Sequence, residues 1–581
     1  MKLRFTSRDI VFALVYSILL IIPDSIWIDT SQGRLPYGVL LVYNLVFYFS
    51  LSLLLCQIAL WLKKIHQVFY TISQVILHII LYGFSISNIF LYIFFTLRWD
   101  AYTFQLIHET TGRESSEFLE TYVLTTECGF IIAGYMLLGV IEYLSICKLR
   151  HRSVSVPWYI SLPIGCLFMY NATFFCFPKY NDTLDMTSAY NTVLTRNMLW
   201  KLRLYTQQYE LEKADLNICA KNQAAASVDS CSHTCPTIVL IIGESFIKRH
   251  SSLYGYNKRT NPLLEEMQKA GNLSVFTDVV TPRNGTSEAF KLFLSMARID
   301  DSIRWCDTPL FPTLFKKAGY HVTFYSNQFV KESEKDRENA TGAGFFYHPG
   351  IEPYIFDERN HSLSHFDGEM VKTYIQDHQK PTAYPYNLDI FHLLGQHVSY
   401  KDRYTHSFAH FSAKDYTDRK ELTKSQKREV SEYDNATLYN DHVVSSIINI
   451  YKNQDAIIVY FSDHGEECND FRPHIGRSGD WDKIEKSAGI ECLRCQFDIP
   501  FMIYTSPLFQ QNHPMIIEEI KESSNRPFMT DDLPHLLLYL AGIHTSWYDP
   551  QRNLISPSFD TKRRRLVSRV FTDYDEFCSG K

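Results

Sequence analysis

The first 177 residues of this 581-residue chain carry apolar and aromatic runs too long for the strands or surface helices of a water-soluble fold. A bilayer core takes roughly 20 apolar residues in helical form. Five stretches reach that length, at 10–28, 37–62, 68–97, 122–146 and 156–177. The first is not a cleavable signal peptide, because its apolar stretch runs on to Pro23 and Asp24 without a small-residue cleavage site, and more spans follow. A mean hydropathy of -0.14 would suit an ordinary soluble protein, but it averages two unlike halves. After Phe177 the chain is mixed, charged and punctuated like a globular α/β protein. The expectation is an N-terminal five-helix transmembrane domain over 1–177, a linker over 178–236, and a folded domain over 237–581.

Basic residues give the orientation. Lys2, Arg4 and Arg8 precede the first span, Lys63 and Lys64 follow the second, and Lys148, Arg150 and Arg152 follow the fourth. The positive-inside rule makes all three clusters cytoplasmic, and an odd number of spans then delivers everything after Phe177 to the extracytoplasmic side. Within the spans, His78, Glu127 and Glu142 are costly in hydrocarbon. Glu142 lies near the cytoplasmic end and is read as snorkelling to the interface. For His78 and Glu127 the choice between an interior contact and a polar pathway stays open.

The net charge of -6, from 57 basic and 63 acidic residues without a long charge run, gives no reason to expect nucleic acid as a partner. Eight cysteines follow the last span. An even count in an oxidising compartment suggests disulfides, with Cys231–Cys235 and Cys492–Cys495 as local candidates. The linker holds an amphipathic stretch at 195–213, with Trp200, Leu202, Leu204 and Tyr205 beside Arg196, Lys201 and Arg203. It suits a helix on the membrane surface or one packed on the folded domain.

From Thr237 short β-branched runs alternate with helical patterns. Runs at 237–242, 321–325, 388–392, 456–461 and 500–504 have the continuous apolar character of strands buried on both faces of a parallel sheet. Helical patterns occupy 310–318 and 439–451. This is a doubly wound α/β domain, whose active site belongs at the carboxyl ends of the strands.

Those ends carry the chemistry. Gly243-Glu244-Ser245 follows the first strand, and Ser462-Asp463-His464-Gly465-Glu466-Glu467 follows a later one. An apolar strand ending in Asp-His-Gly sets two metal-ligand types side by side in a crevice, and oxygen plus imidazole suits zinc, with manganese the main rival. Asn284-Gly285-Thr286-Ser287 runs into a helical stretch, so Thr286 lies near a helix N-terminus, where an anion is favoured but where a threonine is also an ordinary cap. A fourth block, His392-x-x-Gly395-x-His397-x-x-Tyr400-x-x-Arg403, follows another strand and offers groups that can hold and protonate a phosphate ester.

Taken in order, these motifs resemble the phosphoethanolamine transferases of Gram-negative inner membranes, whose periplasmic domain is alkaline-phosphatase-like and of sulfatase type. The resemblance rests on the membrane spans, Gly-Glu-Ser, Arg249 to Tyr256, Thr260-Asn261-Pro262, Asn-Gly-Thr, Ser326-Asn327-Gln328, the His-x-x-Gly-x-His block, Tyr439-Asn440-Asp441 and Ser-Asp-His-Gly-Glu-Glu. It implies a zinc site of Glu244, Thr286, Asp463 and His464, with Thr286 both ligand and nucleophile, and places His397 and His474 on the donor phosphate. It also implies phosphatidylethanolamine as donor, lipid A or lipopolysaccharide core as acceptor, and a multi-pass inner-membrane protein with its catalytic domain in the periplasm. Two departures from the family pattern stand out. Asn284 replaces a common Cys, and His474-Ile475-Gly476-Arg477 stands where His-Gly is common. The Glu-Glu pair and Gly-Arg-Ser look closer to the branch that decorates the core.

Three other readings share these residues. A phosphoglycerol transferase of related fold would use manganese and phosphatidylglycerol. A true sulfatase lacks support, because no Cys-or-Ser-x-Pro-x-Arg sequence sits at the nucleophile turn. A catalytically dead membrane sensor or scaffold would have kept the fold without the chemistry.

Overall fold

The computed structural model describes residues 2–26, 37–95, most of 97–148, 153–157 and 194–580, the last range apart from 339, 379–383, 479–480 and 482–484. The chain forms two compact units, Met1–Tyr209 and Glu210–Lys581.

The first unit is helical: α1 (Ser7–Ile26), α2 (Tyr37–Ile65), α3 (Gln67–Phe95) and α4 (Thr126–Lys148). Among the described residues three segments are long and apolar enough to cross a bilayer, Tyr48–Ile65, Gln67–Phe95 and Thr126–Lys148. The expected fifth span opens differently. Val156 and Pro157 lie in a strand, Ser153–Pro157, paired antiparallel with Lys2–Thr6, and the rest of 156–177 lies outside the described residues.

Polar side chains knit α1, α3 and α4. Glu142 does not snorkel: it is buried, with Oε1 2.8 Å from His78 Nε2 and Oε2 accepting from the Tyr82 hydroxyl at 3.0 Å. His78 Nδ1 lies 2.7 Å from the Gln74 carbonyl, and the Tyr16 hydroxyl donates to Gln74 Oε1 at 2.7 Å. His78 is thus an interior contact. Glu127, in the first turn of α4, is exposed.

The helix α5 (Leu194–Ala225) contains the amphipathic stretch. The side chains of 194–204 lie outside the described residues. Farther along, Leu216 and Cys219 enter the core of the second unit, so this end of the helix packs as an ordinary domain element.

The second unit is built on a seven-stranded sheet. Its strands are β1 (Thr237–Gly243), β2 (Leu273–Phe276), β3 (His321–Ser326), β4 (Glu358–Arg359), β5 (Asn387–His392), β6 (Ala456–Ser462) and β7 (Phe501–Thr505). They lie in the order β2-β7-β6-β1-β5-β3-β4. The strands β6, β1, β5, β3 and β4 are mutually parallel, β7 runs antiparallel to β6, and β2, antiparallel to β7, returns to the direction of the other five. The sheet is therefore mixed, a correction to the parallel sheet expected from the 500–504 run: burial on both faces sets the apolar pattern and leaves direction unmarked.

Alternation along β1 shows both faces covered. Ile238, Leu240 and Ile242 enter one core with Phe290 and Phe293 of α7 (Thr286–Leu294). Val239 and Ile241 enter the other with Leu264 of α6 (Pro262–Lys269) and Val443, Val444 and Ile447 of α8 (Lys424–Tyr451). A strand with period-2 side chains and no exposed face must be apolar throughout, as β1 and β6 are.

The local disulfides expected from sequence are absent. Cys231, Cys235, Cys492 and Cys495 are not joined in disulfides. Cys492 and Cys495 lie on one helix, α9 (Lys486–Phe497), and both are buried. Cys231 sits in a strand paired to Ile543, whereas the Cys235 carbonyl accepts from the Tyr320 hydroxyl.

Candidate metal centre and nucleophile turn

β1 and β6 are paired in parallel with Ser462 opposite Gly243, so the chain leaves both strands at the same edge. Glu244 and Asp463 come directly after, and both are fully buried with His464. One ligand atom from each of the three lies within 4.8 Å of the others. Ser245 takes a left-handed conformation, φ 56°, which turns the chain sharply after Glu244 and lets its hydroxyl donate to Glu244 Oε1 at 2.6 Å.

The donor set fits a divalent cation. The His464 Nδ1–H donates to the Gly465 carbonyl at 2.9 Å, which leaves Nε2 as the lone-pair nitrogen. That atom lies 3.4 Å from Glu244 Oε1 and 3.3 Å from Asp463 Oδ2. Asp463 Oδ1 accepts from the His464 and Ser245 backbone N–H groups, at 2.7 and 3.3 Å. Asp463 Oδ2 is buried with no hydrogen-bond partner among the described residues. A dry carboxylate oxygen without a donor is costly unless a cation meets it. Burial, and next the negative charge of Glu244, push the Asp463 carboxyl well above the usual carboxylate range. A cation at this point removes both causes and displaces the proton.

Thr286 joins this group. Gly285, and not Thr286, occupies the cap position of α7. The Thr286 hydroxyl is turned inward, 3.2 Å from Glu244 Oε2 and 3.3 Å from His464 Nε2. The ordinary capping reading of this threonine is thereby replaced.

The other motifs divide into contacts and braces. Gln328 Nε2 donates to Glu244 Oε2 at 2.8 Å and to the Leu393 carbonyl at 2.9 Å, fixing a candidate ligand from the end of β3. Asn327 donates to Asp367 Oδ1 at 2.9 Å, and Asp367 also accepts from the Leu394 and Gly395 N–H groups, both at 2.9 Å. Gly395, φ 51°, brings its backbone so close to Glu244 that a Cβ would stand 2.8 Å from the Glu244 carbonyl oxygen. Asp441 of the Tyr-Asn-Asp motif accepts from the Leu263 and Leu264 N–H groups at the start of α6, a brace remote from the triad.

The His-x-x-Gly-x-His block separates as well. His392 is fully buried, its ring 4.6 Å from Phe290 and 5.5 Å from Phe329, and burial lowers it to about 3. It is a neutral core residue and not a phosphate ligand. Arg403 is spent on the loop, donating to the His397 and Val398 carbonyls at 2.9 and 2.8 Å. His397 lies near enough for its charge to act on Glu244 and His464. His474 closes a hairpin through its backbone: its carbonyl accepts from Asn469 N–H at 2.8 Å, within the turn joining Glu467–Cys468 to Ile475–Gly476. From this segment Arg477 meets the triad, its Nη1 lying 2.8 Å from His464 Nε2. Gln328 and Arg477 carry no assigned role in the sequence reading. Gln328 had a usable signal, its place just after a strand; Arg477 follows no strand of the main sheet.

The sulfatase family model matches residues 236–543. The chain belongs to the sulfatase family. It is 28% identical over 547 residues to phosphoethanolamine transferase EptC of Escherichia coli strain K12, covering 91% of this chain and 90% of that one. Among solved structures it is similar to the C-terminal periplasmic domain of EcEptC from Escherichia coli in complex with Zn, with 29% identity, a TM-score of 0.51, and coverage of 60% of this chain and 96% of that one. The integral membrane protein lipooligosaccharide phosphoethanolamine transferase A from Neisseria meningitidis shares the fold, at 17% identity and a TM-score of 0.60, over 94% of this chain and 98% of that one. This sulfatase-family member thus resembles phosphoethanolamine transferases over most of its length.

Proposed function

We propose that the chain is a zinc-dependent phosphoethanolamine transferase of the inner membrane, with five spans over 1–177 and a catalytic domain over 237–581 in the periplasm. The observation that carries this reading is the inward Thr286 hydroxyl, within 3.3 Å of both Glu244 and His464. Glu244, Thr286, Asp463 and His464 would hold the ion, and the zinc complex of the EcEptC domain supports its identity; manganese is the alternative. Bound there, zinc lowers the pKa of the threonine hydroxyl and offsets charge on the phosphoryl group.

The chain's own residues supply the rest. Thr286 Oγ1, its proton given up to solvent, attacks the phosphorus of phosphatidylethanolamine, an O–P bond forms, and the bond from phosphorus to the glycerol oxygen breaks. His397 or His474 gives a proton to that oxygen, releasing diacylglycerol. A hydroxyl or phosphate of lipid A or the lipopolysaccharide core then attacks the phosphoethanolamine-threonine and restores Thr286. Membrane spans suit the scheme because donor and acceptor are both lipids.

The test is mass spectrometry of the Thr286 peptide after incubation of the full chain with phosphatidylethanolamine or phosphatidylglycerol. A phosphoethanolamine adduct on Thr286 is expected. A phosphoglycerol adduct instead would assign the related transferase, and no adduct with either lipid would remove the threonine intermediate.

A further inference from the structure

Two groups compete for one lone pair. His464 Nδ1 is committed to the Gly465 carbonyl, so the ring has a single acceptor atom, Nε2. In this structure that atom takes a hydrogen bond from Arg477 Nη1 at 2.8 Å. The same Nε2 is the atom a metal would need. An imidazole nitrogen has one lone pair and cannot accept a guanidinium N–H while ligating a cation.

A further contact of Arg477 lies on the turn that leads into Thr286, where Nη1 also donates to the Asn284 carbonyl at 3.3 Å. Gly476, at φ 91° in the hairpin strand just before it, sets the direction from which Arg477 enters. Thr286 Oγ1 and Arg477 Nη1 therefore share a neighbour in His464 Nε2, at 3.3 and 2.8 Å. A guanidinium anchored to the turn that leads into Thr286 matches the equatorial oxygens of a phosphoryl group in charge and in fork geometry.

We propose that Arg477 is the phosphoryl-binding residue of this site, and that metal loading frees it for that task by taking His464 Nε2. The inference rests on the proposed metal site and nucleophile. It goes beyond the assignment of His474, three residues earlier, because Arg477 reaches the triad from this hairpin. Coupling follows: the metal and the phosphoryl anion bind cooperatively, since the first removes the partner that holds the arginine away from the second.

The variants Arg477→Ala and Arg477→Lys in the full chain, purified in detergent, test this through two binding measurements that need no turnover. Zinc affinity is read by competition with a chromogenic chelator, and inorganic phosphate affinity by calorimetry with and without zinc. In the parent protein phosphate should bind more tightly with zinc than without. Arg477→Ala should weaken phosphate binding by about 10- to 100-fold, the size of one charge-assisted hydrogen bond, while zinc binds as tightly or more tightly because a competitor for His464 is gone. Arg477→Lys, which keeps charge but not the fork, should recover part of the loss. Unchanged phosphate affinity in Arg477→Ala, or weaker zinc binding, would overturn the role of Arg477 and leave the transferase reading standing. A parent protein that binds no zinc would overturn both.

Discussion

Gln328 Nε2 donates to Glu244 Oε2 at 2.8 Å, across 84 residues of sequence, and the same Glu244 oxygen lies 3.2 Å from the Thr286 hydroxyl. One amide thus orients the carboxylate that Thr286 faces. Groups that hold a metal ligand in place are commonly worth 10- to 100-fold in affinity or activity. Gln328→Ala should weaken zinc binding by roughly that factor while the domain stays folded. Chelator competition against the parent protein checks it.

Thr286→Ala should lower transfer by roughly 10³-fold or more with the protein still folded and membrane-bound. Lipid A and core masses from cells with and without the variant measure this, and substantial residual transfer would remove Thr286 from the nucleophile role. Glu244→Ala or Asp463→Ala should instead lower bound zinc, read by elemental analysis.

Gly395 offers a test of packing under the site. Its φ of 51° is strained for a side chain, and a Cβ would stand 2.8 Å from the Glu244 carbonyl oxygen and 2.9 Å from its nitrogen. Gly395→Ala should cost about 1–3 kcal/mol and shift the Glu244 backbone. A lower thermal midpoint together with reduced metal content is the expected pair of results.

His250 predicts a pH dependence. The ring is buried between Asp434, 2.6 Å from Nδ1, and Asp470, 3.2 Å from Nε2. Burial works against its charge, but the two carboxylates outweigh burial and raise it to about 10. Because an unfolded histidine titrates near 6.5, the stabilisation is complete below that pH and is lost as pH rises through about 10. Thermal midpoints measured between pH 6 and 10 should fall in the parent protein. His250→Phe should flatten that part of the curve and cost about 3–5 kcal/mol at neutral pH, since it removes the cation between two carboxylates and leaves Asp434 to Tyr256 and Tyr416 and Asp470 to Arg419.

In the helical unit, His78 and Glu142 meet at 2.8 Å with side chains 27% and 7% exposed. Removing either should destabilise more than removing both. A double-mutant cycle of His78→Phe and Glu142→Leu in detergent should return a coupling of about 0.5–3 kcal/mol; additive effects would deny the pairing.

Sequence made the strands and their polar ends legible for one physical reason. β1 and β6 are buried on both faces, so the first acidic residue after each apolar run marks where the chain leaves the sheet. Direction was not legible at β7, because burial selects the same residues in a parallel or antiparallel strand. His392 was misleading because it ends β5 with its ring turned between phenylalanines, whereas His397 lies beyond the turn at Gly395. Free cysteines in place of local bridges reflect geometry that spacing does not encode. Arg477 was hidden because its position depends on a hairpin that folds back onto the triad.

The pairing of β1 with β6 has a practical consequence. Glu244 comes from one of these strands and Asp463 from the other, and their neighbours Gly243 and Ser462 are paired across the sheet. Their meeting requires the long crossover between them to have closed, and long-range strand pairing of this kind is slow. A fragment that ends before Ser462 lacks the trio, and a register shift between β1 and β6 separates it. With the proposed metal site, the ion content of a preparation should count correctly threaded molecules, whether or not any of them has yet met a lipid.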